Sequence, residues 1–353
     1  MAPAPVIKSV IESHFDEASD CYADLLGTEN TRQFAQYRHQ LYQRLMANLE
    51  GLVLSGDYGW SLCQQSLENE ANRADEHFVV AFLAFEFNDI RYVKNMLGNA
   101  FIDSRFFKAT SDALCWHTWQ KAQFWANQFS RSEKINDRLL GLRAFRYHQK
   151  QAPLSLSLKT AVETCFNGQH KIARDFLLTD VITDKDTELL PVLNPFINDE
   201  LSTGNFNLIC KCISLQGFQL IDRLLPFISQ QNTNQENAVA FVFSRIAKPK
   251  RCQWLNFLKA HPDDIRLLLI AIGAMADSQY LDWVIRQMDN PEHARLAGKT
   301  FSLLTGIDLN EKGWTLNDAS LDQAWLAYDF DESFDWPDKS QIIANRATWQ
   351  NNH

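Results

Sequence analysis

"HPDDIRLLLIAIGAM" (His261–Met275) and "NPEHARLAGKTFSLL" (Asn290–Leu304) carry the decisive pattern. Laid over one another at an offset of 29 residues, they match Pro262 with Pro291, Arg266 with Arg295 and Ile272 with Phe301. Apolar or small residues fall at i, i+3, i+4 and i+7 in both: Ile265, Leu268, Leu269 and Ile272, then Ala294, Ala297, Gly298 and Phe301. That spacing collects one face of a 3.6-residue turn and predicts two amphipathic helices. The start signals agree. Proline suits the first helical position, Asn290 can accept from first-turn N–H groups, and Asp263, Asp264 and Glu292 complement the positive end of the dipole. "CQWLNFLKA" (Cys252–Ala260) and "LDWVIRQM" (Leu281–Met288) superpose at the same offset, Trp254 on Trp283, so each unit holds two helices. A helical hairpin buries its apolar face only against a neighbour, and a row of them is an α-solenoid of HEAT type.

Working outward, "INDRLLGLRAFRYHQ" from Ile135, "GNFNLICKCISLQGFQLIDRLLPFI" from Gly204 and "QENAVAFVFSRIAKPKRCQWLNFL" from Gln235 fit the unit more loosely, at roughly 28 to 35 residues each. The first 130 residues are helical without sharing the period. Ile7, Ile11, Phe15, Ala18, Tyr22 and Leu25 share one face, as do Phe34, Tyr37, Leu41, Leu45, Leu49 and Leu52. After Gly306 the repeat stops and the chain turns acidic and aromatic. The expectation is an all-α protein with an N-terminal helical domain (1–130), HEAT-like repeats (131–306) and an acidic aromatic C-terminal segment (307–353). Gly298 inside a predicted helix costs about 1 kcal/mol relative to alanine, which close approach to a neighbouring helix would offset. Gly298-Lys299-Thr300 also mimics the end of a phosphate-binding loop, but His293 stands where that loop needs glycine and no strand precedes it.

A chain of 353 residues can bury a large core, and 13 glycines and 10 prolines are few enough to favour helices. Its 34 basic and 43 acidic residues give a net charge of -9, which opposes general nucleic-acid binding through phosphate neutralisation. Seven scattered cysteines imply a reducing compartment. Cys210 and Cys212 point apart on a helix and cannot share a zinc ion. No run of 18 apolar residues reads as a membrane span, so a cytoplasmic protein is expected, with no membrane partner.

The candidate site residues are aromatic and basic. Arg138, Arg266 and Arg295 recur early in their helices, either as an anion-binding ladder or, the favoured reading, as a row pairing with Asp or Glu. "FFKATSDALCWHTWQKAQFWANQF" (Phe106–Phe129) gathers Trp116, Trp119 and Trp125 around His117, as core or as a partner-binding hot spot. Trp254 and Trp283 are the repeated tryptophans. "AKPKRC" (Ala247–Cys252) reads as a solvated loop. "YDFDESFDWPD" (Tyr328–Asp338) alternates carboxylates and aromatics; counted from Asp329, Phe334 occupies the glycine position of a calcium loop, so Asp331 and Trp336 read instead as part of a capping strap or a docking segment for a basic partner. His14, beside Asp16 and Glu17, reads as a hydrogen-bonded core or interface histidine rather than a metal ligand. No spacing assigns catalytic, cofactor-binding or metal-binding residues.

"IESHFDEASDCYADLL" (Ile11–Leu26), "LEGLVLSGDYGW" (Leu49–Trp60), "DRLLGLRAFRYH" (Asp137–His148), "ARLAGKTFSLLTGIDL" (Ala294–Leu309) and "FDWPD" (Phe334–Asp338) together resemble a family of bacterial HEAT-like repeat proteins whose genes lie beside type VI secretion components. The resemblance implies some tens of residues beyond the W-P-D element, whereas the sequence ends at His353. The resemblance implies a non-enzymatic protein-binding scaffold, an adaptor or chaperone holding a secreted effector or its carrier. An immunity protein neutralising a cognate toxin is the nearest alternative. A third is a nucleic-acid enzyme resembling the HEAT-like alkylpurine DNA glycosylases, which requires one face lined with lysine, arginine, aromatics and a carboxylate.

Overall fold

"ADEHFVVAFLAFEF" (Ala74–Phe87) is apolar on every side, and a helix of that kind must be enclosed by others. It is: Phe78, Val79, Val80, Ala81, Leu83 and Ala84 are sealed from solvent at the centre of the N-terminal unit. The structure is a computed structural model that describes residues 7–28, 35–69, 73–153, 157–168, 170–259, 265–328 and 331–350. Phe34, Pro262, Asp263, Asp264 and Asp329, named above, lie outside the described residues. The described chain is helical almost throughout and divides into two compact units, Met1–Ile197 and Asn198–His353.

The first unit contains α1 (Lys8–Gly27), α2 (Ala35–Leu54), α3 (Asp57–Glu68), α4 (Ala74–Phe87), α5 (Ile90–Leu97), α6 (Ser104–Trp116), α7 (Trp119–Ser130), α8 (Ile135–Tyr147), α9 (Leu158–Asn167), α10 (Lys171–Phe176) and α11 (Leu190–Leu193). A π-helical turn, Leu177–Val181, continues α10. α1 pairs with α2 and both rest on α4. Beyond them, helices two apart in the chain lie side by side: α4 on α6, α6 on α8, and α8 on the π turn. α7 folds back on α8 so tightly that a Cβ on Gly141 would meet the Ala126 carbonyl oxygen at 2.8 Å. The expected faces are buried from Phe15 to Leu25 in α1 and from Leu41 to Leu52 in α2, while Ile7 and Tyr37 stay exposed at the starts. His14 accepts its predicted role, its Nδ1 2.8 Å from Asn48 Oδ1 across the α1–α2 pair.

The second unit contains α12 (Thr203–Ser214), α13 (Leu225–Ser229), α14 (Gln235–Arg245), α15 (Lys248–Lys259), α16 (Ile265–Met275), α17 (Leu281–Gln287), α18 (Pro291–Thr305), α19 (Gln323–Leu326), α20 (Lys339–Ala344) and α21 (Arg346–Gln350). α14 packs on α16 and α16 on α18, with α15 against α16 and α17 against α18. The decisive stretch folds as its pattern demands: Leu268, Leu269, Ile272, Ala294, Ala297, Gly298 and Phe301 are buried, and the Asn290 side chain accepts from the Glu292 N–H at 3.1 Å with Pro291 at N1. Gly306, in the left-handed region at φ 69°, ends α18. The strands among the described residues are β1 (Thr315–Leu316) and β2 (Trp336–Pro337), antiparallel with Leu316 opposite Trp336.

Two expectations are corrected. Gly298 does approach another segment closely, but that segment is β2: an added Cβ would lie 3.1 Å from Pro337 Cβ. The run Ala247–Cys252 is not a loop, because Lys248 onward forms the first turn of α15, where proline is tolerated, and Lys250 pairs with Asp222 at 2.8 Å. The expected divisions at 130 and 306 fall inside the two units, in the α7–α8 turn and at the end of α18.

Candidate protein-binding surface

Lys108, Asp112 and Trp116 stand four residues apart on α6, so one stripe of the helix carries a cation, a carboxylate and an indole. Asp112 is only 4% exposed, and a buried carboxylate persists only where it is paired and hydrogen-bonded. Its partners converge from three helices. Tyr22 of α1 donates its hydroxyl to Oδ2 at 2.8 Å, Arg143 of α8 donates Nη2 to Oδ1 at 2.5 Å, and Lys108 Nζ lies 3.1 Å from Oδ2. The π turn supplies the second acid. Asp180 Oδ1 accepts from Lys108 at 3.0 Å, its carbonyl accepts from Arg143 Nε at 3.2 Å, and Thr179 donates to Oδ2 at 2.5 Å. π-helical turns recur at functional sites, and this one aims Asp180 into the network.

The electrostatics follow from the competition between burial and pairing. Burial pushes the Asp112 carboxyl up, but Arg143 and Lys108 outweigh it and hold it below the ordinary carboxylate range. Burial likewise opposes the Lys108 charge, and Asp112 and Asp180 more than restore it. Tyr22 is driven far up, first by burial and then by the adjacent Asp112. Burial also pushes the Cys115 thiol up to about 12, which favours its protonated form. The result is a charge-balanced floor of two acids and two bases.

Aromatic side chains rise from that floor toward solvent. Trp116 packs edge-on against Tyr22, Phe78 and Tyr42, with centroids 5.8, 5.0 and 5.7 Å apart. Tyr42 remains 41% exposed and Tyr147, one turn beyond Arg143, 54%. Burial, with smaller contributions from Cys115, Tyr42 and Asp112, raises the Tyr147 hydroxyl above its ordinary value. At the other end of the stripe Lys108 lines a cleft of about 400 Å³ with Leu26, Arg73, Asp75 and Arg105.

Of the residues singled out from sequence, Trp116 belongs to this surface. Trp119 is half-buried beside Phe145 and His148, 5.3 and 5.4 Å away, and Arg138 is half-buried in the first turn of α8. Trp254 is buried and Trp283 half-buried in the second unit. The remaining four meet there in pairs. Arg266 grips Asp331 with both Nη atoms, at 2.6 and 2.8 Å, and pairs with Glu236 at 2.6 Å; the Arg295 guanidinium lies 4.2 Å from the Trp336 ring centroid. The acid-pairing reading therefore holds for Arg266, and the Arg295 guanidinium stacks on an indole. Sequence reasoning missed Tyr22, Tyr42, Lys108, Asp112, Arg143 and Tyr147. The available signal was Asp112 inside the otherwise apolar run "SDALCW".

No protein-family model, no curated protein and no solved structure matches this chain. Among the described residues no group of three His, Cys, Asp or Glu side chains could hold a metal ion, and no helix is long and apolar enough to cross a membrane.

Proposed function

We propose that the protein is a non-enzymatic scaffold that holds a protein partner on the exposed aromatic surface of its first unit. The observation that carries this reading is the trio Tyr42, Trp116 and Tyr147, set on a floor whose charges are already paired. Tyrosine and tryptophan are the usual anchors of interfaces, because they present large rigid area at little entropic cost. Alternate packing of α4, α6 and α8, and of α14, α16 and α18, supports reading each unit as turns of a HEAT-like α-solenoid. The resemblance to the type VI secretion-associated family leads us to propose a secreted effector or its carrier as the partner, with the protein acting as adaptor or chaperone.

The test is an affinity purification from a host lysate, followed by mass spectrometry. A secretion component or effector should be retained at high salt, and Trp116→Ala/Tyr147→Ala should weaken its binding about 10- to 100-fold. Retention unaffected by that variant would sink the assignment of the surface. Growth rescue on co-expression with a neighbouring toxin would favour the immunity-protein alternative.

One observation favours a second reading. Asp112, Lys108, Arg143 and the surrounding tyrosines and tryptophan supply the residue types that a glycosylase-like face requires. Both Asp112 oxygens are engaged within the protein and the chain carries a net charge of -9, so we rank this reading second. Release of an alkylated base from DNA, abolished in Asp112→Asn, would reverse that order.

A further inference from the structure

The α16–α18 face of the second unit holds the acidic aromatic strap with contacts that are each specific to a side-chain type. The Arg266 fork takes the Asp331 carboxylate through two hydrogen bonds, a geometry that a lysine cannot reproduce. One turn apart on α18, Arg295 and Lys299 each offer a cation to a ring: Trp336 at 4.2 Å from the guanidinium and Phe334 at 4.1 Å from the ammonium. Between them Gly298 presents bare backbone, and Pro337 lies against it where any Cβ would intrude. The face thus reads Asp, then an aromatic ring at +3, tryptophan at +5 and proline at +6.

Two features set the strap apart from ordinary core. Asp331 sits at φ 61°, in the left-handed region where a side chain is strained, at the point where it reaches Arg266. The Trp336 indole N–H is buried with no hydrogen-bond partner, although an indole of this kind usually finds one. The strap is recognised by the face, yet it is seated with strain and one unmet donor.

We propose that this face is a peptide-recognition site for an acidic, aromatic segment of a partner protein, and that the strap is its resident ligand in cis. Tethering gives the strap an effective concentration in the millimolar range, so a partner segment competes only when it makes the same contacts without that strain. This site is distinct from the aromatic surface of the first unit and stands or falls separately.

The experiment uses the full chain and a fluorescein-labelled peptide with the sequence of residues 328–339, read by anisotropy. Asp331→Ala/Trp336→Ala, which loosens the strap, should bind the peptide at least 10-fold more tightly than the parent protein. Adding Arg266→Glu should abolish that gain. Equal binding by the parent and the loosened variant, or indifference to Arg266→Glu, overturns the proposal. Should the variant not fold, hydrogen exchange of the parent chain decides: strap amides should exchange at least 100-fold faster than those of α18, whereas exchange at the α18 rate makes the strap permanent core. A concentration-dependent dimer of the parent chain, lost in the loosened variant, would make a second copy the occupant and overturn the partner assignment.

Discussion

The two units assemble the same chemistry and leave opposite parts of it showing. In the first, an arginine, a lysine and two aspartates are paired one turn from Trp116, and Tyr42 and Tyr147 face solvent. In the second, Arg266, Arg295 and Lys299 form the floor, and the strap lays aspartate, phenylalanine and tryptophan over them until Trp336 is only 3% exposed. The two arrangements differ in whether their own rings stay exposed: Tyr42 and Tyr147 do beside the first, whereas Trp336 is covered over the second.

The largest expected effect separates the units by acid. His77 and His117 are enclosed in the first unit, and burial is the leading cause that lowers each to about 4. An unfolded histidine titrates near 6.5, so below that pH the unfolded chain binds protons that the folded unit refuses. The folded pKa is the depressed one; stability is therefore full above 6.5 and falls as pH drops toward 4, by up to about 3 kcal/mol per histidine at ~1.36 kcal/mol per pH unit. Urea unfolding followed from pH 7.5 to 4.5 should show the first unit losing stability through this window, and His117→Gln should remove part of the loss. A midpoint independent of pH in that range would mean the rings are hydrated.

Breaking the floor comes next. Arg143→Met leaves Asp112 and Asp180 with too few cations in a dry environment, for an expected loss of about 3 to 5 kcal/mol by chemical denaturation. A loss below about 1 kcal/mol would mean that water enters the network and that it behaves as a surface pair.

The tryptophans sharpen the contrast. Trp336→Ala removes a buried indole packed on Arg295 and Trp325, an expected loss of about 3 kcal/mol, moderated because its unpaired N–H leaves with it. Trp116→Ala, at a half-buried ring, should cost about 1 to 2 kcal/mol of stability while removing most partner binding. Equal stability losses in the two variants would contradict the assignment of one ring to cover and the other to recognition.

How much of this was legible in the sequence depended on distance along the chain. α16 and α18 could be read because periodicity, Asn290 and Pro291 are local signals that their own segments contain. Gly298 announced that something must approach it, but the partner, Pro337, belongs to a segment with no periodicity of its own, and a helix was the natural guess. Of the floor, Asp112 within an apolar run was the one local signal, and its pairing could not be read. Tyr22 and Asp112 are 90 residues apart and Lys108 and Asp180 are 72, so the pairing exists only once α1, α4, α6 and α8 have been stacked. Taken singly, Asp112 is a mid-helix acid and Tyr22 one more residue of an apolar face.

The smallest effect tests whether the second unit's floor is of a different kind from the first. Arg266 is 32% exposed, its charge favoured first by the Asp331 hydrogen bonds and then by Glu236. Pairs at that exposure are screened, and double-mutant coupling between Arg266→Ala and Asp331→Ala should be about 1 kcal/mol at low salt and shrink in ~1 M salt, where the Debye length is about 3 Å. Arg143 and Asp112, taken through the same cycle, should couple more strongly and respond less to salt, because water and ions do not reach them. If the Arg266 coupling exceeded about 3 kcal/mol and ignored salt, the strap would be core of the same kind as the first unit's floor, and the resemblance between the two arrangements would extend to their energetics.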